Sequence, residues 1–291
     1  IGTRNGRLLA AWDDPGRLAL DAARERLVVD RGAQGVALLN ATTGEMQGIV
    51  PLSPQEEPPA PQIDSRTGLI YAFRDSTVHI IDPAIRKVIR SIALEVPTTT
   101  CDKPSGNAAI YQAVADSTSN RLYLSFITQT CLPWATATLI AFDADVKTEI
   151  GRTSIDINTE FLSYDGRLFG ISANRLGPAS SWGWDGATSR HDESVDLQGK
   201  LTGMILDRKR KLIYEAIGET IRVFNPARQE VAGQVNVPLL ADGRLAGYDP
   251  AGDNLFIVSA TGRLYLLPAE DLPDTASSPI PAPSPLPIAA V

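Results

Sequence analysis

Short apolar runs separated by polar turns recur along the chain in a fixed order. One landmark is an Asp, a polar turn and an apolar run: Asp21 to Leu27-Val28-Val29, Asp64 to Leu69-Ile70-Tyr71, Asp116 to Leu122-Tyr123-Leu124, Asp207 to Leu212-Ile213-Tyr214 and Asp249 to Leu255-Phe256-Ile257. A shortened copy runs from Asp165 to Leu168-Phe169. The anchoring leucines Leu27, Leu69, Leu122, Leu168, Leu212 and Leu255 lie 42, 53, 46, 44 and 43 residues apart. Self-similarity at such a period marks a repeat architecture.

A second landmark keeps phase with the first: an apolar pair, then Asp or Asn, then a turn. It reads Leu38-Leu39-Asn40, Ile80-Ile81-Asp82-Pro83, Ala141-Phe142-Asp143 and Val223-Phe224-Asn225-Pro226. Leu266-Leu267-Pro268 is a degenerate copy, and Trp184-Asp185-Gly186 keeps the phase without the apolar pair. The step from anchoring Leu to this turn is the same in four repeats: 27 to 40, 69 to 82, 212 to 225 and 255 to 268. The runs are short, rich in Val, Ile, Leu and Tyr, and bounded by Asp, Asn, Gly and Pro, which is the pattern of strands and hairpins. A unit of about 42 residues holds four strands and three tight turns, and one such sheet cannot cover both its faces alone. The predicted class is all-β, a β-propeller of about six four-stranded blades.

Units reading Ile-Asp-Pro-Ala-Ile-Arg-Lys-Val-Ile (81–89) after Asp-Ser-Arg-Thr-Gly-Leu-Ile-Tyr (64–71) resemble YVTN-type β-propeller repeats, over roughly residues 1–268. The name-giving Tyr-Val-Thr-Asn tetrad is absent, as are the Gly-His and Trp-Asp marks of WD40 repeats. The resemblance implies the fold; its family carries many roles, so function has to be read from sites.

Let the strands of a blade be a to d from the axis outward. The last repeat stops after strand c at Leu267, and the segment from Pro268 to Val291 is rich in Pro, Ala and Ser. Proline removes ladder donors, so that segment reads as a tail or linker (269–291) outside a propeller domain of residues 1–268. Thr3-Arg4-Asn5-Gly6-Arg7 resembles a c–d turn, and residues 7–12 are expected to supply the missing strand d and close the ring. Seven blades or a truncated ring are the alternatives.

In such a sheet the a–b and c–d turns share one end, and the b–c and d–a connections share the other. The enlarged connections 53–62, 96–110, 128–138 and 173–183 all fall in the second class. Cys101 and Cys131 lie in two of them, entering and within the third blade. A disulfide between them is sterically reasonable and would close a loop worth a few kcal/mol (~3). Two free thiols in a reducing compartment fit the count as well. Long loops with aromatics on a rigid scaffold are where binding resides, and the candidates are Trp134, Trp182, Trp184 and Tyr111.

Catalytic candidates are sparse. His79 alternates with apolar neighbours inside strand c, and His191 reads as part of a polar c–d turn. Asp13-Asp14 and Glu56-Glu57 are paired carboxylates in turns. The repeated turn Asp is explained by Asx-type hydrogen bonding to its own backbone. No nucleophile elbow, P-loop, His-Glu-x-x-His or EF-hand pattern occurs, so no catalytic, cofactor or metal residues are assigned.

Composition narrows the partners. Among 291 residues, 27 Lys and Arg face 34 Asp and Glu, for a net charge of -7 without a basic run. Neither nucleic acid nor an anionic membrane surface is therefore an expected partner, and no apolar stretch is long enough to span a bilayer. The chain opens on Ile1 without a Met or an apolar leader, which reads as a processed or trimmed product. The expectation is a non-catalytic, extracytoplasmic, protein-binding subunit acting through its loop end and Pro-rich tail. The alternatives are a lactone or small-ligand enzyme using the axial funnel, and a glycan-binding propeller using its tryptophans.

Overall fold

The structure is a computed structural model that describes residues 17–55, 58–95, 109–127, 136–156, 159–172, 179–185, 190–191, 195–197, 201–249, 252–261, 263–272 and 289–290. The expected β-propeller architecture forms, as six antiparallel sheets, each wired in chain order. Blade 1 holds β1 (Arg17–Asp21), β2 (Arg26–Asp30), β3 (Val36–Asn40) and β4 (Met46–Val50). Blade 2 holds β5 (Gln62–Ile63), β6 (Ile70–Arg74), β7 (Thr77–Asp82) and β8 (Lys87–Ala93). Blade 3 holds β9 (Ala109–Asp116), β10 (Arg121–Ile127), β11 (Thr136–Asp143) and β12 (Glu149–Asp156). Blade 4 holds β13 (Thr159–Tyr164), β14 (Arg167–Ser172) and β15 (Ala179–Asp185), with its outer strand in two pieces, β16 (Arg190–His191) and β17 (Val195–Leu197). Blade 5 holds β18 (Leu201–Asp207), β19 (Leu212–Ile217), β20 (Thr220–Asn225) and β21 (Glu230–Asn236). Blade 6 holds β22 (Gly243–Asp249), β23 (Asn254–Ser259), β24 (Leu264–Pro268) and β25 (Ala289–Ala290). No α-helix occurs among the described residues.

The chain divides into two compact units, residues 1–157 with 185–190, and 158–184 with 191–291. In the first, alternate residues of one strand serve two neighbours, as the two-residue period of a strand requires. Ile70 and Ala72 of β6 pack with Val28, Val36 and Leu38 of blade 1. Tyr71 and Phe73 of the same strand pack with Leu122, Leu124 and Phe126 of blade 3. In the second unit, Tyr214, Ile221 and Val223 of blade 5 meet Leu245, Leu255 and Leu267 of blade 6. This double burial is why the repeats read as nearly continuous apolar runs.

Both sequence landmarks form Asx turns in several blades. Asp116 Oδ1 accepts the Thr118 and Ser119 amides, and Asp207 Oδ1 those of Lys209 and Arg210. At the second landmark, Asn40 Oδ1 accepts from Thr42 and Thr43, and Asn225 Oδ1 from Ala227 and Arg228. The residue that ends such a turn takes a left-handed conformation, as Asn120 (φ 57), Lys211 (φ 59) and Gln229 (φ 57) do, and Gly68 (φ 77) fills the same place in blade 2. Strand b then starts at or next to the anchoring Leu, which is buried in blades 1, 3, 4, 5 and 6.

Outer strands carry a further regularity that the sequence analysis did not anticipate. The c–d register shifts between Leu38 and Leu39, Ile80 and Ile81, Ala141 and Phe142, and Val223 and Phe224. Each shift falls at the same place in its blade and leaves one outer-strand residue extra: Gln47, Ile89, Ile150 and Ala232. A bulge there twists an exposed edge away from pairing with a stray strand.

One expectation is corrected. The fourth strand of blade 6 is β25, from the segment expected to lie outside the sheet; Ala289 pairs with Leu266 and Ala290 with Tyr265. The objection from proline applies residue by residue. Ile288-Ala289-Ala290-Val291 follows the last proline, Pro287, so its amides are free to donate. Residues 7–12, expected in that place, lie outside the described residues.

Candidate functional site

Each blade has two ends, and they are built differently. The a–b turns form a belt of clasps from one blade to the next. Arg24, three residues after Asp21, donates to the carbonyls of Ser65 (3.0 Å) and Arg66 (3.2 Å) in the next a–b turn. Arg66 in turn donates to Asn120 Oδ1, and Ser117 Oγ accepts the Ser65 amide at 2.8 Å. In the second unit Arg210 bridges Asp207 Oδ2 (2.9 Å) of its own turn and Asp253 Oδ1 (2.6 Å) of the next. Tyr214 and Tyr248 hydroxyls donate to these same two carboxylates. Hydrogen bonds from Arg210 and then Tyr248 hold the Asp253 carboxyl well below its usual range. Burial pushes Asp207 up, but donors from Arg210, Tyr214 and Lys209 outweigh it, so its carboxyl also titrates low. These are clasps: every group is turned to a neighbour in the turn.

At the other end lie the b–c turns and the d–a connections. There the chain buries a charged pair that the sequence reading missed. Asp30 and Arg74 end strand b of blades 1 and 2, and their side chains are 0% and 3% exposed. Arg74 uses all five guanidinium N–H groups. It forks onto both Asp30 oxygens (2.7 and 2.9 Å) and reaches the carbonyls of Ser53 (2.6 Å), Phe73 (2.6 Å) and Gly32 (3.1 Å). The Gly32 amide completes the shell of Asp30. The signal was present as charged residues closing the apolar runs 27–30 and 69–74, but nothing local joins residues 44 apart.

Tyr111 is the sequence candidate that the structure places best. It is the extra residue of a bulge in β9, where Ser125 pairs with Gln112 and Phe126 with Ile110. The bulge turns its ring outward, to 51% exposure. Nearby segments are tied together: the Ile110 amide donates to Asp75 O (2.8 Å), the Leu94 amide to Ser76 O (2.9 Å), and the Gln55 side-chain Oε1 accepts the Asp75 amide (3.0 Å). Strand a of blade 3 is thus tied at Ile110, the residue before Tyr111, to the turn 75–76, and that turn to Gln55 of the connection 51–61.

The other candidates divide. Trp182 and Trp184 lie in strand β15, so the connection before them is shorter than expected, 173–178. The Gly183 between them and the serines before them broke the apolar pattern that would have announced a strand. Trp184 is wholly buried and belongs to the packing, not to a partner surface. Trp182 is half-buried and lies flat against Gly170, where an added Cβ would come within 2.3 Å of the ring. His191 falls in strand β16 and not in a turn. His79 is in strand c as expected, and Ser91 Oγ meets its Nδ1 at 2.9 Å. Trp134, Cys101, Cys131, Asp13, Asp14, Glu56 and Glu57 lie outside the described residues.

Among the described residues, no group of three or more His, Cys, Asp or Glu is placed to hold a metal ion. No helix among them is long and apolar enough to cross a membrane.

No family model and no curated protein matches this sequence. The fold is widely shared. Solved structures match in large number, 1265 chains, so the likeness carries architecture and not a role. One is a chain of a structure titled "Crystal Structure of Mitotic Checkpoint Complex". It matches with a TM-score of 0.60 at 12% identity, over 88% of this chain and 78% of that one.

Proposed function

We propose that this chain is a non-catalytic, protein-binding scaffold of the YVTN-repeat kind its units resemble, working outside the cytoplasm. Its binding end is the one that carries the connections 51–61, 94–108 and 128–135. The observation that carries the reading is Tyr111, a large aromatic ring left half exposed at a bulge in strand a of blade 3. A rigid aromatic costs little entropy to immobilise, which suits it to anchor a partner. A solved chain of similar fold sits in an assembly, the mitotic checkpoint complex, which supports a scaffold role by analogy.

In this reading Trp134 and Trp182 are further partner contacts, Trp184 does not take part, and Cys101 and Cys131 form a disulfide. The bond is what argues for an oxidising compartment. The test is isolation of the native protein under mild conditions. A stoichiometric protein should come with it, and Tyr111→Ala should deplete that protein about tenfold while thermal unfolding is unchanged. Isolation as a lone monomer that opens a lactone overturns the reading. Intact mass under non-reducing conditions checks the bond separately, and two alkylatable thiols would remove the case for export.

A further inference from the structure

One side-chain amide of the chain stands in the setting that a sugar transferase reads. Of the asparagines, Asn40 alone has Ser or Thr two residues on without Pro between, in Asn40-Ala41-Thr42. That spacing is the acceptor signature for N-linked glycans, and it belongs on a surface turn. Asn40 ends β3 and opens the c–d turn 41–45 of blade 1. Thr42, Thr43, Glu45 and Met46 around it are exposed.

The turn treats the two arms of that amide differently. Asn40 Oδ1 accepts the Thr42 and Thr43 backbone amides, each at 2.8 Å. The nitrogen is on the other arm of the same planar group, so Nδ2 points away from them. Neither Nδ2 nor the Thr42 hydroxyl has a partner among the described residues. The turn is tied to the a–b turn of its blade through backbone, Ala41 N to Glu25 O at 2.7 Å. A group carried on Nδ2 therefore displaces no hydrogen bond among the described residues. Other turns lack one part or another. Asn225 forms the same Asx turn, onto the amides of Ala227 (3.0 Å) and Arg228 (3.1 Å), but is followed by Pro226 and has no hydroxyl two residues on. Asp82 and Asp143 stand at the same place in blades 2 and 3 and have no amide nitrogen. Asn254 spends its Nδ2 on the carbonyl of Gly252 (2.6 Å).

We propose that Asn40 is an N-glycan acceptor, modified from a lipid-diphosphate sugar donor. In the transfer Nδ2 attacks the anomeric carbon of the sugar. The N–C bond forms and the bond from that carbon to the phosphate oxygen breaks. The lipid diphosphate leaves with the electron pair, and Nδ2 gives up one proton to a base. The Thr42 hydroxyl marks Asn40 for the transferase. The product keeps Oδ1, and with it the Asx turn. A bulky, hydrophilic sugar then stands at the c–d turn, the end of blade 1 away from its b–c and d–a connections, and leaves that binding end free. The site rests on the export proposed above, because this transfer belongs to secreted proteins.

The test is made on protein isolated from its native source. Its intact mass should exceed that of the chain by whole sugar residues. Digestion should place the sugar on the peptide that holds Asn40, and none on the peptide that holds Asn225. Release by peptide N-glycosidase in heavy-oxygen water should convert the Asn40 amide to a carboxylate holding one heavy oxygen, beyond a control incubated without the enzyme. Thr42→Ser should keep the sugar and Thr42→Ala should lose it. Asn40→Asp should lose it with the far-ultraviolet spectrum unchanged, because a carboxylate accepts the same two backbone amides. A bare Asn40 in protein whose Cys101–Cys131 bond is formed overturns the site and leaves export standing. A bare Asn40 in protein with two free thiols overturns both. A sugar that survives Thr42→Ala overturns the site too, because the transfer then does not read this turn.

Discussion

Asp30 and Glu215 stand at the same place in two repeats, three residues after the anchoring leucines Leu27 and Leu212, and both are buried acids held by an arginine. Their wiring differs. Asp30 takes its partner, Arg74, from the next blade, and that guanidinium is also tied to three backbone carbonyls from both blades. Glu215 takes Arg222 from directly across its own sheet, with Nε and Oε2 2.5 Å apart. The first pair is a rivet between two sheets, while the second neutralises a charge within one. Burial pushes the Glu215 carboxyl above its usual range despite the opposing pull of Arg222. A buried ion pair stabilises little by itself, but a broken one leaves a stranded charge. Asp30 and Arg74 thus join strands of two blades, whereas Glu215 and Arg222 are register partners in one sheet.

The sharpest way to break the comparison is Arg74→Met. It strands Asp30 in a dry site and removes the guanidinium donor from three carbonyls, and chemical denaturation should show a loss of about 3–5 kcal/mol. The double variant Asp30→Leu/Arg74→Met should recover part of this, but not all, because the carbonyl of Ser53 loses its donor. Full recovery would mean that the pair does not rivet the blades.

Arg222→Met should cost less, about 2–3 kcal/mol near neutral pH, and the loss should shrink in acid. The sign follows from linkage. A carboxyl titrating higher in the folded state binds more protons there than in the unfolded chain, so stability falls as pH rises from the ordinary carboxylate range through the folded value, and is flat below. Removing Arg222 raises the folded value further and widens that window. Denaturation midpoints at several pH values read it, and a loss independent of pH would show that Glu215 does not take the proton.

The fold was legible because its signals are local. A tight polar turn needs only the residues within it, and the leucine that follows begins strand b, so six landmarks in phase announced the blades before any contact was known. The buried pairs were not legible, since Arg74 and Asp30 become neighbours only when blades stack. Tyr111 was found as an aromatic near a long connection, yet its exposure depends on a bulge that no residue type marks. Trp182 was placed in the connection 173–183 and Trp184 at its rim because Trp-Gly-Trp after two serines has no apolar alternation, though both rings face one side of a strand. β25 was missed because a rule about single proline residues was applied to a whole segment.

The clasps at the turn end are weaker than the rivet, and Gly68 reads one of them. An added Cβ there would sit 2.7 Å from Arg24 Nε, at a backbone φ of +77. Gly68→Ala should therefore cost about 2 kcal/mol, through left-handed strain together with a displaced Arg24. Gly218→Ala isolates the first contribution, because φ there is +57 and nothing lies within 4 Å. It should cost about 1 kcal/mol. Equal losses in thermal unfolding would mean that Arg24 moves aside freely and that its bonds to Ser65 and Arg66 hold little.

The smallest effect belongs to His79, whose ring lies near the rivet. Burial, and then the charge of Arg74, lower its tendency to protonate, while Asp30 opposes them. Its buried Nε2 has no acceptor beside it, so a proton placed there gains no hydrogen bond. A base that titrates lower in the folded state binds fewer protons there, so the fold loses stability as pH falls below about 6.5, until the folded value is passed. His79→Gln should flatten that part of the stability profile and leave the part above neutral unchanged. In the Arg74→Met background the slope should shrink as well, because the opposing cation is gone and Asp30 now favours the imidazolium. A slope untouched by either change would place the titrating group elsewhere and separate His79 from the rivet.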